Sequence, residues 1–243
     1  MVEKYTIRTD LAMEQKERFE SDHVEVSGVV LEEEYDEERE IKITTVRIET
    51  ENGAKMMGKP VGTYLTLDVP DMAEKDDGYH EEVAEELGKQ LNLLIKKMCP
   101  NKKEKASVLV VGLGNIQVTP DSLGPRVVDN LQMTRHFLGE YGEDFCERND
   151  LPVLSGIIPG VMAQTGMETA EIVKGVVDET KPDMVLAIDA LAARNVRRLA
   201  STIQLTDTGI HPGSGVGNHR HSMTKDSLGV PSRRPSGLRK TNW

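Results

Sequence analysis

The run Ser107-Val-Leu-Val-Val-Gly-Leu-Gly114 constrains this chain more than any other stretch. It is continuously apolar and ends in glycine, the pattern of a parallel strand buried on both faces. Asp183-Met-Val-Leu-Ala-Ile188 repeats it, and Pro152 to Ile158 reads as another short strand. Between and after these runs the apolar spacing is helical, over Ser122 to Leu138, Glu168 to Glu179 and Leu191 to Leu199. Thr202 to Leu205 reads as a fourth strand. Strand alternating with helix predicts an α/β fold with a mainly parallel sheet flanked by helices.

The first third of the chain follows a different rule. Val24 to Leu31, Ile41 to Ile48 and Tyr64 to Leu67 alternate with a period of two, the pattern of an N-terminal antiparallel β region (about 20–75) with one wet face. Glu32 to Glu40 reads as an acidic loop and Glu51 to Ala54 as a turn. Residues 79–98 are helical, with Val83, Leu87, Leu91, Leu94, Ile95 and Met98 on one face. The final SRRPSGLRKTNW carries Arg233, Arg234, Arg239 and Lys240, no acid and no periodicity, and reads as a disordered tail over 232–243.

Charge and composition narrow the function. A net charge of -11 and 4% aromatic residues disfavour binding to phosphate backbones or anionic lipid. No apolar run approaches the roughly 18 residues of a membrane span, and MVEKYTIRTDLAMEQKERF has no apolar signal core. Two cysteines make no disulfide framework, so a cytoplasmic location is expected.

In open α/β sheets ligands bind beyond the carboxyl ends of the strands. The first tip is Gly112-Leu-Gly114-Asn115-Ile-Gln117. It starts like a dinucleotide fingerprint but holds Gln117 where the third glycine belongs, so no nucleotide cofactor is expected. Its glycines allow close backbone approach, and the amides from Gly112 to Asn115 could stabilise an oxyanion. Asp121 follows at a helix start, and Asp189 ends the buried strand 183–188. Each could simply cap a helix. Brought together at neighbouring tips, they would supply a general acid and a general base, because two carboxyls sharing a site do not both ionise cheaply. Glu168 and Glu171 begin the next helix, where the dipole alone accounts for them. His211, His219 and His221 lie in the glycine-rich stretch after residue 207; His211, fixed by Pro212, is the best site candidate of the three. Cys146 has no histidine nearby and no GxSxG is present, which argues against a thiol or serine nucleophile.

Several segments, in order, resemble the germination proteases of spore-forming bacteria: Tyr5 to Ala12, Val111 to Asn115 with Val118 to Pro125, Pro159 to Met162, Ala187 to Arg194, Asp207 to Asn218 and Lys225 to Pro231. The resemblance implies a fold similar to the hydrogenase-maturation endopeptidases. It implies an aspartic-type endopeptidase that degrades small acid-soluble spore proteins at germination, in the cytoplasm of the forespore or spore core, as a self-processing zymogen and homotetramer. Its two aspartates fall on Asp121 and Asp189, with Gly112, Gly114, Asn115, Glu168 and His211 as possible lining, and no metal or other cofactor.

The family cuts after an acidic residue and before a hydrophobic residue followed by alanine, a form that Thr9-Asp10-Leu11-Ala12 has. Residues 1–10 are then a propeptide, cut off between Asp10 and Leu11, and 11–231 the peptidase domain. Arg194 and Arg197 are candidates for holding the acidic residue. The family's sequence continues past Pro231 with further apolar elements, so the resemblance implies an incomplete domain here. Two alternatives stand beside this reading: a metal-dependent maturation-type endopeptidase with Asp121, Asp189 and His211 as ligands, and an inactive fragment that only binds spore proteins.

Overall fold

Thr50-Glu-Asn-Gly-Ala-Lys-Met-Met-Gly58 carries the start and stop signals of a short helix, and it folds as one, α1 (Glu51–Met57). In the computed structural model, which describes residues 11–14, 27–70, 72–99, 106–192, 195, 198–210 and 223–228, the Thr50 side chain accepts the Gly53 N–H at 3.0 Å. Gly58 closes the helix in the left-handed region (φ 63°). The turn expected over 51–54 is therefore the first turn of a capped helix.

The described residues form two units. The first comprises residues up to 98 together with 191–209; the second comprises 99–190, Ile210 and the residues from 223 onward.

The first unit is built on an antiparallel sheet in the order β1 (Val29–Asp36), β2 (Ile41–Ile48), β3 (Gly62–Asp68), β7 (Thr202–Thr206). The acidic run expected to be a loop lies largely inside β1. Two cross-strand pairs hold it there: Glu32 with Arg47, bidentate at 2.7 Å for each bond, and Glu33 with Lys42 at 2.7 Å. Thr202 to Leu205, expected as a fourth strand of the parallel sheet, lies in β7 and pairs antiparallel with β3 instead, Leu65 opposite Leu205. Its alternation of polar and apolar residues suits a half-buried antiparallel strand better than a doubly covered one.

The long helix α2 (Asp77–Met98) starts where Asp76 Oδ1 accepts the Tyr79 N–H at 3.1 Å. Its Tyr79 and Val83 pack against Ile41 and Val69. The expected apolar face loosens along the helix, and Met98 is exposed. Glu86 is buried on it, held by Gln90 Nε2 at 2.6 Å and Lys89 Nζ at 3.2 Å. In β3, burial pushes the Tyr64 phenol above its ordinary value near 10; a hydrogen bond involving Thr208 opposes this and the charge of Asp207 adds to it. Folding thus favours the neutral phenol, a contribution present in full below pH ~10 and lost as pH climbs through the folded-state value. Tyr64→Phe should remove this component of alkaline destabilisation, read as a flatter midpoint of urea unfolding between pH 9 and 11.

The second unit holds the parallel sheet, three strands in the order β5 (Val153–Ile157), β4 (Ser107–Gly112), β6 (Met184–Ile188). The central strand β4 pairs with both neighbours, Val110 lying opposite Gly156 and Leu186. Leu109 and Val111 of β4 pack with Leu113 and with Val173 and Val177 of α7 (Thr169–Thr180), and Met223 and Leu228 complete the cluster. A parallel sheet flanked by helices in one unit and an antiparallel sheet in the other make the fold α/β. Leu109→Ala should cost about 2–5 kcal/mol of stability, measurable by chemical denaturation, because Leu109 is fully buried on the central strand.

The helix expected over Ser122 to Leu138 is two helices, α3 (Leu123–Asp129) and α4 (Arg135–Tyr141). Thr134 causes the break: its N–H donates to Leu154 O at 2.9 Å, its hydroxyl oxygen accepts the Leu154 N–H at 3.1 Å, and that hydroxyl donates to Pro152 O. These bonds tie the chain to β5, and α4 runs on past Leu138 through Gly139 to Tyr141. After α5 (Glu143–Arg148), which buries Cys146, come β5 and the short α6 (Met162–Thr165), and α8 (Lys225–Leu228) is the last described element. Of the helix expected over 191–199, the described positions Leu191, Ala192 and Asn195 are irregular, while Arg198 lies in a 3-10 turn, its N–H donating to Asn195 O at 3.0 Å, and Leu199 in a turn.

Candidate active site

Three glycines shape the carboxyl end of the parallel sheet. β4 ends at Gly112, and the chain continues through Leu113, Gly114 and Asn115 into a 3-10 turn, Thr119–Asp121. Gly114 has φ +113°, and a Cβ there would lie 2.0 Å from Asp121 O and 3.1 Å from Asp121 Cγ. Only a residue without a side chain lets Asp121 fold back onto the strand tip. Gly124, at the start of α3, works on a second front: a Cβ there would lie 2.4 Å from Ile188 O and 2.5 Å from Leu113 N. The helix start thus rests on the tips of β4 and β6 together. Gly112 makes room beneath, its own Cβ position being 2.4 Å from Gly124 O.

The two candidate aspartates sit on this platform. Asp121 Oδ2 accepts the Asn115 N–H at 2.8 Å, and the Asp121 N–H donates to Val118 O at 2.8 Å. Leu113 N–H donates to Ile188 O at 2.9 Å, extending the β4–β6 pairing one step past the strand end. Asp189 follows Ile188 directly, and its Oδ1 accepts the Ala190 N–H at 2.9 Å. Both carboxylates are therefore at the carboxyl end of the sheet, beyond adjacent strands, and both residues are half-buried. The amides from Gly112 to Asn115 are less available to an oxyanion than expected, because those of Leu113 and Asn115 are already donated.

The third tip adds a residue that sequence reading passed over. Gln164, in α6 beyond β5, donates from Nε2 to Asn115 Oδ1 at 3.1 Å, and the Gln117 N–H reaches the same oxygen at 3.0 Å. Gln164 thereby steadies the residue whose amide holds Asp121. No spacing rule flags a lone glutamine in a four-residue helix. Around these tips Ile116, Val118, Leu123, Met162 and Met167 expose large apolar side chains to solvent.

The other candidates are less central. Glu168 is the N-cap residue of α7, where Glu171 Oε2 accepts its N–H at 3.0 Å. His211, His219, His221, Arg194, Arg197 and Asp10 lie outside the described residues. Among the described residues no group of three or more His, Cys, Asp or Glu is arranged to hold a metal ion. Leu11 is described and is buried.

A family model described as germination protease matches residues 6–233. Among curated proteins the chain is 52% identical over 225 residues to the germination protease of Caldanaerobacter subterraneus subsp. tengcongensis, covering 93% of this chain and 66% of that one. It is 47% identical over 228 residues to the germination protease of Clostridium perfringens strain SM101 (93% and 68%) and 46% identical over 237 residues to that of Bacillus subtilis strain 168 (95% and 62%). The chain thus spans about two-thirds of the length of these relatives.

Proposed function

Because the chain belongs to the germination protease family, we propose that it is an endopeptidase of spore germination that hydrolyses small acid-soluble spore proteins with Asp121 and Asp189 as its working pair. The observation that carries this reading is the placement of both carboxylates beyond adjacent parallel strands, on a platform that Gly112, Gly114 and Gly124 make possible. In the reaction, one aspartate is ionised and takes a proton from a water, whose oxygen attacks the scissile carbonyl carbon. The other is protonated and hydrogen-bonds the carbonyl oxygen while the tetrahedral adduct forms. It then gives its one proton to the leaving nitrogen as the C–N bond breaks, so that the first aspartate is left holding the proton taken from water and the two have exchanged roles. The exposed apolar side chains of Ile116, Met162 and Met167 offer a surface for the hydrophobic residue that follows the cut.

The same reading makes residues 1–10 a propeptide, removed when the chain cuts itself between Asp10 and Leu11, and the working form a homotetramer in the spore cytoplasm. No described helix is long and apolar enough to cross a membrane. The test is incubation of the purified chain with an acid-soluble spore protein, with and without a chelator. Cleavage that survives chelation supports the aspartate pair. Cleavage that the chelator abolishes turns the assignment to a metal-dependent peptidase, and intact substrate in both arms leaves only binding. Gln164→Ala should lower kcat about 2–10-fold with little change in KM, the range expected from one lost hydrogen bond of roughly 0.5–1.5 kcal/mol.

A further inference from the structure

Leu11, Ala12, Met13 and Glu14 are 1%, 0%, 3% and 1% exposed. Four consecutive buried side chains need partners on every side. Here the first unit supplies the ties. Leu11, Ala12 and Met13 belong to the same core cluster as Val46, Ile48, Met57 and Tyr64. The Ala12 N–H donates to Gln204 Oε1 of β7 at 2.9 Å. Glu14 Oε1 accepts the Asn195 N–H at 3.1 Å and lies 3.3 Å from Arg198 Nη1. Arg198 Nε in turn stands 3.8 Å from Asp68 Oδ1. A carboxylate this deeply buried is tolerable only because it is paired, so the pairing and the seated position depend on each other.

A peptidase engages its substrate as an extended segment, reading side chains on both sides of the cut and using main-chain hydrogen bonds. Leu11 and Ala12 cannot be read that way while they are core residues, and residues 12–14 are helical rather than extended. Resting on the proposal that the chain is cut between Asp10 and Leu11, we infer that Leu11–Glu14 is a latch: the bond is cut only when this segment withdraws from the first unit. Glu14, Arg198 and Gln204 are then positioning residues that set the rate of processing without touching the reacting atoms. Withdrawal exposes three apolar side chains and separates Glu14 from Arg198, so the open state is rare and weakening either tie multiplies it.

Two measurements on the full chain test this separately from the aspartate pair. The first uses thermolysin, which cuts before leucine, on Asp121→Asn protein that cannot cut itself, followed by intact mass. Adding Glu14→Gln or Gln204→Ala should speed the cut before Leu11 at least tenfold, with cuts before Leu65 and Leu67 in β3 unchanged. If Glu14→Gln also raises those β3 cuts, it has loosened the whole unit and Gln204→Ala decides. Equal rates before Leu11 in the parent and Gln204→Ala overturn the latch. The second follows self-processing with Asp121 intact. Processing that is faster in Glu14→Gln and Gln204→Ala supports the latch, and unchanged processing in both overturns it. Faster thermolysin cutting in chains that never cut themselves supports the latch and sinks the self-processing reading instead.

Discussion

Asp121→Asn and Asp189→Asn are each expected to abolish hydrolysis of an acid-soluble spore protein, with kcat falling about 10²–10⁴-fold or more, the share that general acid–base catalysis supplies. Asparagine at 121 keeps an oxygen that can accept the Asn115 N–H, and at 189 one that can accept the Ala190 N–H. The platform should therefore survive, and circular dichroism and the unfolding midpoint should stay close to the parent. The double variant should be no worse than the poorer single one, because groups that act as a unit are not additive. Steady-state cleavage followed by gel or mass spectrometry is the readout. Full activity in either single variant would remove the pair from the mechanism.

Gly114→Ala carries the second large effect, and it acts through the backbone. At φ +113° any side chain is strained, a cost of order 1–3 kcal/mol. The added carbon would also stand 2.0 Å from Asp121 O, so the 3-10 turn must move as well. Activity should be lost along with a measurable part of the second unit's stability, whereas Asp121→Asn loses activity alone. Gly139→Ala is the control: a Cβ there meets nothing within 4 Å and the residue is inside α4, so stability should hold or rise. A Gly114→Ala protein as active as the parent would show that Asp121 does not need its folded-back position.

Much of this was written locally. The strands β4, β5 and β6, the helices α2 and α7 and the strand-tip location of both aspartates could be read from hydrophobic period and glycine placement, because burial on both faces imposes continuous apolar runs. Two of the misreadings share one cause. The acidic run of Glu32 to Glu34 looks like a loop until Arg47 and Lys42 arrive from the next strand. The 122–138 helix looks continuous until Thr134 finds β5, twenty residues downstream. The turn at 51–54 is different, because the signals that make it a helix, Thr50 before it and Gly58 after it, are local.

What the sequence determined alone is the chemistry on offer: two carboxylates ending up beyond buried strands, glycines where a backbone must pass closely, and family motifs from Tyr5 to Pro231. What only the tertiary structure decided is pairing. Which sheet Thr202 to Thr206 joins, that Gln164 reaches Asn115, and that Leu11 to Glu14 are core all depend on partners distant along the chain. Periodicity reports which face of a segment seeks burial, but what buries it is set by the competition among all such faces for one another, and that competition is resolved only when the chain is folded.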